Sequence, residues 1–275
     1  MKCAWKELLA IVPKSFRNEV DRQGREEGLE LRLRLDKPLE IATDHGPVWL
    51  EKTVTEEDLR FVVNAASQYS PWAAATIARG YLTAAGGHRI GLCGEVYGSG
   101  GQTQGIRNVT SLNIRIARDY TGLVPQGLTG NILVLGPPGS GKTTFLRDLA
   151  RVKARHHTVA VVDERGELFP KGFQQGKRMD IMSGCAKPEG MMLALCTMGP
   201  EYIAVDEITQ ERDCQALLQA SRCGVRLLAT AHASDREDLM KRPVYRQLAE
   251  LNVFQTLVVL DQRKTLRIEK WEAAL

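Results

Sequence analysis

Residues 131–144 read NILVLGPPGSGKTT, and this stretch predicts the fold class of the chain. Its apolar run, Ile132–Leu135, is typical of a buried strand that ends at Gly136, and a helix-forming segment begins at Lys142. The glycines at 136 and 141, followed by Lys142 and Thr143, fit the G-x-x-x-x-G-K-[ST] spacing of a phosphate-binding loop. Glycines allow backbone N–H groups to turn toward phosphate oxygens, and the helix adds the positive end of its dipole. Strand, loop and helix together predict a nucleotide site.

Within this loop, Lys142 would reach the β- and γ-phosphates of ATP, and Thr143 would ligate Mg²⁺. The alternative, a glycine-rich turn without a ligand, is disfavoured because the whole motif lies between a predicted strand and a predicted helix. We assign to ATP binding the residues Gly136, Pro137, Pro138, Gly139, Ser140, Gly141, Lys142, Thr143 and Thr144.

The composition is typical of an ordinary globular protein. The 275 residues suffice for two domains, with 43% hydrophobic and 25% charged residues. The net charge of +4 is too small to indicate a nucleic-acid partner, so none is expected. The six cysteines form no C-x-x-C pair, which favours free thiols in a reducing cytoplasm. No apolar run approaches the roughly 20 residues of a membrane span.

Residues 1–122 predict a small α+β N-terminal domain. Leucines at 29, 31, 33 and 35 alternate with mainly charged residues, as in a half-buried strand. The segment GSGGQTQG, residues 98–105, predicts a loop without regular structure. We predict helices over residues 4–23 (interrupted by Pro13), 55–69 and 71–79, and strands over 29–35, 39–43, 88–97 and 111–118. Residues 121–128, TGLVPQGL, are a plausible linker.

Residues 123–275 predict an α/β domain. After the phosphate loop, we predict helices over 142–154, 188–198 and 212–222 and strands over 158–162, 202–205 and 225–230. Between the first of these strands and Gly184 we predict an irregular segment. Alternating strands and helices imply a mostly parallel sheet with right-handed crossovers. Because ligands of such sheets bind at the carboxyl ends of the strands, polar residues at those ends are the candidates for chemistry.

Two carboxylates, Asp206 and Glu207, end the apolar segment YIAV at residues 202–205. We expect Asp206 to hold Mg²⁺ through water, opposite Thr143, and Glu207 to polarise the attacking water. The pair lies after an intervening strand, which indicates an ATPase with a catalytic glutamate rather than a small-molecule kinase. A solvated acidic pair that opens a turn is the alternative.

Two further motifs end neighbouring strands. Glu164 and Glu167, in VVDERGE at residues 161–167, would lie beside the γ-phosphate and support the water or the metal. His232, in ATAHA at 229–233, would contact the γ-phosphate and report its presence. The alternatives are a charged surface turn and a structural histidine.

In this order, the four motifs resemble those of the ATPases that drive type II and type IV secretion and pilus assembly. Combined with GGHRIGLCGEV (86–96), SLNIRIAR (111–118) and DIMSGCAKPEGMMLAL (180–195), they resemble the stage III sporulation protein AA family within that superfamily. Pro138 and Ala231 depart from the wider superfamily but fit this branch. The first 80 residues match only loosely.

The resemblance implies an N-terminal domain followed by a RecA-like, ATP-hydrolysing core that forms a homo-hexamer. It also implies membrane channel proteins as partners, with the chain cytoplasmic and peripheral to the membrane. An arginine box, Arg89 and Arg115, would complete a neighbouring subunit's nucleotide site, with Arg118 a weaker third candidate. Two other classes remain open: a RecA-like ATPase that remodels nucleic acid, and a regulatory NTPase that only switches conformation.

Overall fold

The computed structural model describes residues 2–67, 80–99, 102–170 and 172–271. The chain divides into two compact units, Met1–Asp119 with Lys171–Phe173, and Tyr120–Pro170 with Gln174–Leu275. The predicted helix over residues 71–79 lies outside the described residues.

The first unit contains an antiparallel six-stranded sheet with helices on its apolar side. In chain order its elements are β1 (Lys2–Cys3), α1 (Trp5–Ile11), α2 (Arg17–Gly24), β2 (Gly28–Arg34), β3 (Pro38–Thr43), β4 (Gly46–Thr53), α3 (Glu56–Ser67), β5 (Tyr81–Thr83), β6 (Arg89–Ser99), β7 (Gln102–Arg115) and β8 (Arg118–Asp119). The sheet order is β4-β3-β2-β7-β6-β5. Leu31 and Leu33 are fully buried, as the alternating pattern predicts, in a cluster that includes residues of α1, α2 and α3.

The prediction of an irregular loop over residues 98–105 is wrong for its described part, because residues 98–99 belong to β6 and residues 102–105 to β7, and the two strands pair there. Tyr97 pairs with Gly105, and Ser99 with Gln102. A Cβ at Gly105 would lie 2.7 Å from the Tyr97 hydroxyl oxygen. The tyrosine ring therefore covers the glycine, and cross-strand pairing outweighs the low strand propensity of this segment. Strand β4, for which we made no prediction, pairs with β3 at the sheet edge.

A buried histidine links the start of this unit to the segment that follows β7. His88 has no exposed surface, and its Nδ1 accepts a hydrogen bond of 3.1 Å from the backbone N–H of Ala117. Its Nε2 lies 2.9 Å from the carbonyl oxygen of Ala4 and donates to it. Because Nδ1 accepts a hydrogen bond, this arrangement requires the neutral ring, and burial lowers the pKa of His88 because it disfavours the charged form.

The second unit is an α/β structure with one mixed sheet. In chain order its elements are β9 (Ile132–Leu135), α4 (Lys142–Lys153), β10 (Val159–Asp163), β11 (Met179–Ser183), α5 (Lys187–Thr197), β12 (Tyr202–Ile208), α6 (Glu211–Arg222), β13 (Arg226–Ala231), α7 (Arg236–Lys241), α8 (Pro243–Glu250), β14 (Thr256–Leu260) and β15 (Leu266–Lys270). The sheet order is β11-β10-β12-β13-β9-β14-β15, and every pair is parallel except β14 with β15.

Both faces of this sheet are covered, which explains why its strands are apolar without alternation. Leu133 and Leu135 belong to one buried cluster, whereas Ile132 and Val134 belong to another. The same holds for successive residues of β12, since Ile203 packs with the first cluster and Ala204 with the second.

The predicted irregular segment before Gly184 is partly wrong, because Met179–Ser183 forms the edge strand β11 beside β10. Its side chains are only half-buried or exposed, so the apolar signal of a central strand is missing. Beyond His232, β14 lies against β9 and extends the sheet on the far side of the phosphate loop's strand.

Candidate functional site

The phosphate loop joins β9 to α4 in a shape that requires glycine. Gly139 and Gly141 have φ of +78° and +94°, conformations that L side chains rarely adopt. A Cβ at Gly136 would collide with the hydroxyl of Ser140 and lie 2.5 Å from the carbonyl oxygen of Leu260. Gly141 is the N-cap of α4 and no side chain caps the helix, so the N–H groups of its first turn have no acceptor within the helix.

One atom of the loop has an unmet hydrogen-bonding capacity. The hydroxyl oxygen of Ser140 is buried and finds no hydrogen-bond partner among the described residues. A buried hydroxyl without a partner is costly. Together with the uncapped helix N-terminus, it indicates that the loop is shaped for an anionic ligand such as a phosphate.

Lys142 lies buried beneath this loop. Its Nζ donates to the carbonyl oxygen of Pro137 at 2.8 Å and lies 3.2 Å from Nδ1 of His232. Burial lowers the pKa of Lys142, an effect that the carboxylates of Asp206 and Glu207 oppose. The ammonium group is therefore held at the loop by weak neutral acceptors that phosphate oxygens could replace.

Asp206 lies opposite the start of α4. Its Oδ2 accepts a hydrogen bond of 2.7 Å from the Thr143 hydroxyl, and its Oδ1 accepts one of 2.6 Å from the Thr230 hydroxyl. Hydroxyl and carboxylate oxygens are the ligands that Mg²⁺ prefers, so Thr143 and Asp206 fit the metal that the sequence predicts. No group of three or more His, Cys, Asp or Glu suited to a metal occurs among the residues described. Mg²⁺ would therefore need phosphate and water ligands as well.

Glu207 has a strained backbone and a clamped side chain. Its φ is +55°, a conformation that costs a non-glycine residue roughly 1–3 kcal/mol. Its Oε1 lies 2.9 Å from Nε2 of His232, and its Oε2 lies 3.2 Å from a guanidinium nitrogen of Arg165. With Lys142 donating to Nδ1, His232 fits the neutral tautomer that carries its proton on Nε2 and donates it to Glu207. The structure thus links Lys142, His232 and Glu207 in one chain of polar contacts.

The acidic residues at the end of β10 and directly after it line the same cleft, but they have different roles. Asp163 is buried and accepts hydrogen bonds from three backbone N–H groups, at residues 167, 168 and 169, so it shapes the turn. Glu164 forms an ion pair of 2.7 Å with Lys187. Glu164, Glu167 and Lys187 line a cleft that is also lined by Asp206 and Glu207.

Sequence reasoning assigned no role to Lys187 or Thr230. Lys187 begins α5, where the helix dipole disfavours a cation, and this misfit is a signal that could have identified it. Thr230 is a fully buried residue near the carboxyl end of β13. Its type is ordinary for a strand, so nothing in the sequence alone marks it.

The predicted arginines belong to the first unit, whereas the phosphate loop belongs to the second. Arg89 and Arg115 are direct partners across β6 and β7. The Arg89 guanidinium lies 4.4 Å from the centre of the Tyr81 ring, and Arg115 lies 3.5 Å from a carboxylate oxygen of Glu30. Arg118 donates to the carbonyl oxygens of Arg25 and Gly28, which gives it a structural role.

A cavity of about 390 Å³ opens beside the phosphate loop, within the second unit. Residues of the loop and of the first turn of α4 form one side, including Gly139 and Thr144. The other walls are mainly apolar and include Tyr120, Leu123, Phe145, Leu260 and Leu266. Its position and lining suit a flat, largely apolar group attached to a phosphate chain.

Comparison with known proteins gives this site a family context. The family described as "Sporulation stage III, protein AA" matches residues 5–268, so the match extends over residues 5–80, where the sequence motifs gave only a loose resemblance. Stage III sporulation protein AA of Bacillus subtilis (strain 168) is 36% identical over 94% of this chain and 91% of its own length.

Solved structures share the fold at low sequence identity. The pilus retraction motor PilT with bound ADP has a TM-score of 0.63 at 16% identity, covering 88% of this chain and 76% of its own. The ATPase DotB of Yersinia pseudotuberculosis has a TM-score of 0.63 at 13% identity, covering 95% and 81%. Within the described residues, no helix is both long and apolar enough to cross a membrane.

Proposed function

The chain belongs to the sporulation stage III protein AA family, and from this premise we propose that it is an ATP-hydrolysing motor of the secretion-ATPase type. The observation that carries the proposal is the convergence of Lys142, Thr143, Asp206, Glu207 and His232 at the carboxyl edge of one sheet. These residues come from the start of α4, from the carboxyl end of β12 and from the position directly after β13.

In the proposed reaction, water attacks the γ-phosphate in line with the leaving ADP oxygen. The N–H groups at the start of α4 and the Lys142 ammonium would hold the phosphates. Glu207 would orient the water and accept its proton. Its carboxylate lines the cleft and is held there by His232 on one oxygen and Arg165 on the other. Thr143 and Asp206 would hold Mg²⁺, which neutralises developing charge on the phosphate oxygens.

His232 is suited to sense the nucleotide. It contacts Lys142 on one ring nitrogen and Glu207 on the other. When phosphate oxygens draw the ammonium of Lys142 away, Nδ1 of His232 loses its donor. The contact between His232 and Glu207 then changes, which couples phosphate binding to the carboxylate that activates water.

The cavity beside the loop would take the base and ribose of ATP. Its apolar walls and Tyr120 offer stacking and van der Waals contacts to a purine ring.

We further propose that Arg89 and Arg115 complete the site of a neighbouring subunit in a homo-hexamer. Arg115 has 67% of its side chain exposed, and a guanidinium fork suits the charge that develops on the γ-phosphate. The assembly would work in the cytoplasm, peripherally at a membrane, beside channel proteins that link the two compartments of a sporulating cell.

The first test is steady-state release of phosphate from ATP with Mg²⁺, with and without added nucleic acid. Many turnovers per subunit, unaffected by nucleic acid, support the motor. Binding without turnover would favour a regulatory NTPase, and strong stimulation by DNA or RNA would favour remodelling of nucleic acid.

The second test examines the shared site with Arg115→Ala and Lys142→Ala proteins, each nearly inactive alone. Mixed subunits would pair an intact phosphate loop with an intact arginine, so activity should partly return. With subunit exchange shown by a fluorescent label, a mixture as inactive as its components would count against the shared site. Activity in an isolated monomer would exclude it.

A further inference from the structure

Strand β12 carries a bulge at its two catalytic carboxylates. Val205 pairs with Ala229 and Ile208 pairs with Ala231, so two residues of β12, Asp206 and Glu207, lie opposite one residue of β13. That one residue is Thr230. A bulge interrupts the ladder of backbone hydrogen bonds and leaves groups of the bulged strand without their usual partners.

The hydroxyl of Thr230 takes the place of the interrupted ladder. Its oxygen accepts a hydrogen bond of 2.7 Å from the backbone N–H of Glu207, the residue with a φ of +55°. Its proton goes to Oδ1 of Asp206 at 2.6 Å. One buried hydroxyl therefore holds both the backbone of Glu207 and the side chain of Asp206.

The second oxygen of Asp206 completes this arrangement. Oδ2 accepts from the hydroxyl of Thr143, the predicted metal ligand on α4. Since Oδ1 is held by Thr230, the plane of the Asp206 carboxylate is fixed from both sides. Thr230 also lies opposite Val134 of β9, so its strand runs directly between those that carry the phosphate loop and the two carboxylates.

We propose that Thr230 is a positioning residue that fixes Asp206 for Mg²⁺ and Glu207 for water activation through its single hydroxyl. This inference rests on the proposed ATPase function. Thr230 contacts no substrate in the proposed reaction. Without its hydroxyl, Asp206 would turn more freely, and the N–H of Glu207 would lose its acceptor in a strained backbone conformation.

Thr230→Val removes the hydroxyl and keeps the branched shape, whereas Thr230→Ser keeps the hydroxyl and removes a methyl group. For Thr230→Val we expect kcat to fall about 10-fold. We also expect the Mg²⁺ concentration for half-maximal turnover, and for half-maximal analogue binding, to rise about 10-fold, as for one lost hydrogen bond to a charged group. Affinity for a fluorescent ATP analogue in EDTA should stay within about twofold, because the loop itself is untouched. Thr230→Ser should recover most of both losses.

Thr256→Val is the matched control. It is the same substitution in the same sheet, but the Thr256 hydroxyl donates to the carbonyl oxygen of Thr129. Thr256 is the first residue of β14 and pairs with Ile132, at the end of β9 opposite to the phosphate loop. Thr230→Ala removes the same hydroxyl without the added methyl group, so it replaces Thr230→Val should the valine protein fail to fold.

The Mg²⁺ dependence of analogue binding is a readout that needs no turnover. A higher Mg²⁺ concentration for half-maximal analogue binding in the hydroxyl-free variants, restored by serine, supports the positioning role. This readout holds even when wild type proves unable to hydrolyse ATP, a result that would refute only the proposed function. Unchanged kcat and Mg²⁺ dependence in Thr230→Val would overturn the inference. So would equal losses in the valine and serine variants, since these indicate a packing role.

Discussion

Glu207→Gln should remove most ATP turnover while leaving ATP binding and folding nearly unchanged. Glutamine keeps the size of the side chain and one carbonyl oxygen, but it cannot accept the proton of the attacking water. Loss of a general base slows a reaction at least ~100-fold, which corresponds to about 2.7 kcal/mol of transition-state stabilisation.

The cost to folding should be smaller, because solvent reaches the contacts that are lost. Glu207 contacts His232 at 2.9 Å and Arg165 at 3.2 Å, and glutamine replaces one of the two carboxylate oxygens by an amide donor. The side chains of Glu207 and Arg165 are 32% and 59% exposed, so the lost ion pair is worth at most about 1 kcal/mol. The melting temperature should therefore fall by no more than roughly 2–4 °C.

The assay combines phosphate release at saturating Mg²⁺ and ATP with titration of a fluorescent ATP analogue. Glu250→Gln, an exposed carboxylate at the end of α8, is the matched control and should match wild type. Normal turnover in Glu207→Gln would refute the assignment, and Glu164 or Glu167 would become the better candidate for the base. Loss of analogue binding would refute the separation of binding from chemistry.

Three further predictions test other parts of the molecule. Lys142→Ala should weaken binding of the fluorescent ATP analogue by about 1.5–3 kcal/mol, the range for charge-assisted hydrogen bonds; equal affinities would remove Lys142 from the site. Arg165→Gln should lower turnover at most about fivefold, since it breaks a solvent-exposed ion pair; a loss of 100-fold or more would mean that this guanidinium acts on the phosphate itself. Burial lowers the pKa of His88, so above pH ~6.5 it is neutral in both folded and unfolded chains, and below that pH the unfolded chain takes up a proton that the folded one resists. Stability measured by urea unfolding should thus fall as the pH drops from 6.5 to 5, and the fall should be shallower in His88→Gln; identical pH profiles would contradict this reasoning.

The sequence alone determined the features that are contiguous along the chain. The strand, loop and helix around residues 131–144 are recognisable because the glycines and Lys142 act through local backbone geometry. The family was also identifiable from such short motifs, and the comparisons confirm it over residues 5–268. The alternation of strands and helices after the phosphate loop predicted a mostly parallel sheet, because parallel strands need crossover connections, and the pairing of β9 to β14 confirms it.

Two segments form strands although their sequence pattern predicts irregular structure, because each pairs with a neighbouring strand. The segment 98–105 has the composition of a loop, yet its described residues, 98–99 of β6 and 102–105 of β7, pair with one another through backbone hydrogen bonds. Strand β11 carries too few buried side chains to show a strand pattern, and only its ladder with β10 defines it.

Tertiary structure also decided how the groups of the proposed site are held. Thr230 and Asp206 are 24 residues apart, and Lys142 and His232 are 90 apart, so no sequence spacing relates them. They meet because parallel strands bring their carboxyl ends to the same edge of the sheet. The position of the bulge in β12, and hence the residue whose hydroxyl supports it, depends on the register with β13. Register is set by the packing of both sheet faces, which is a property of the folded chain and not of any one segment.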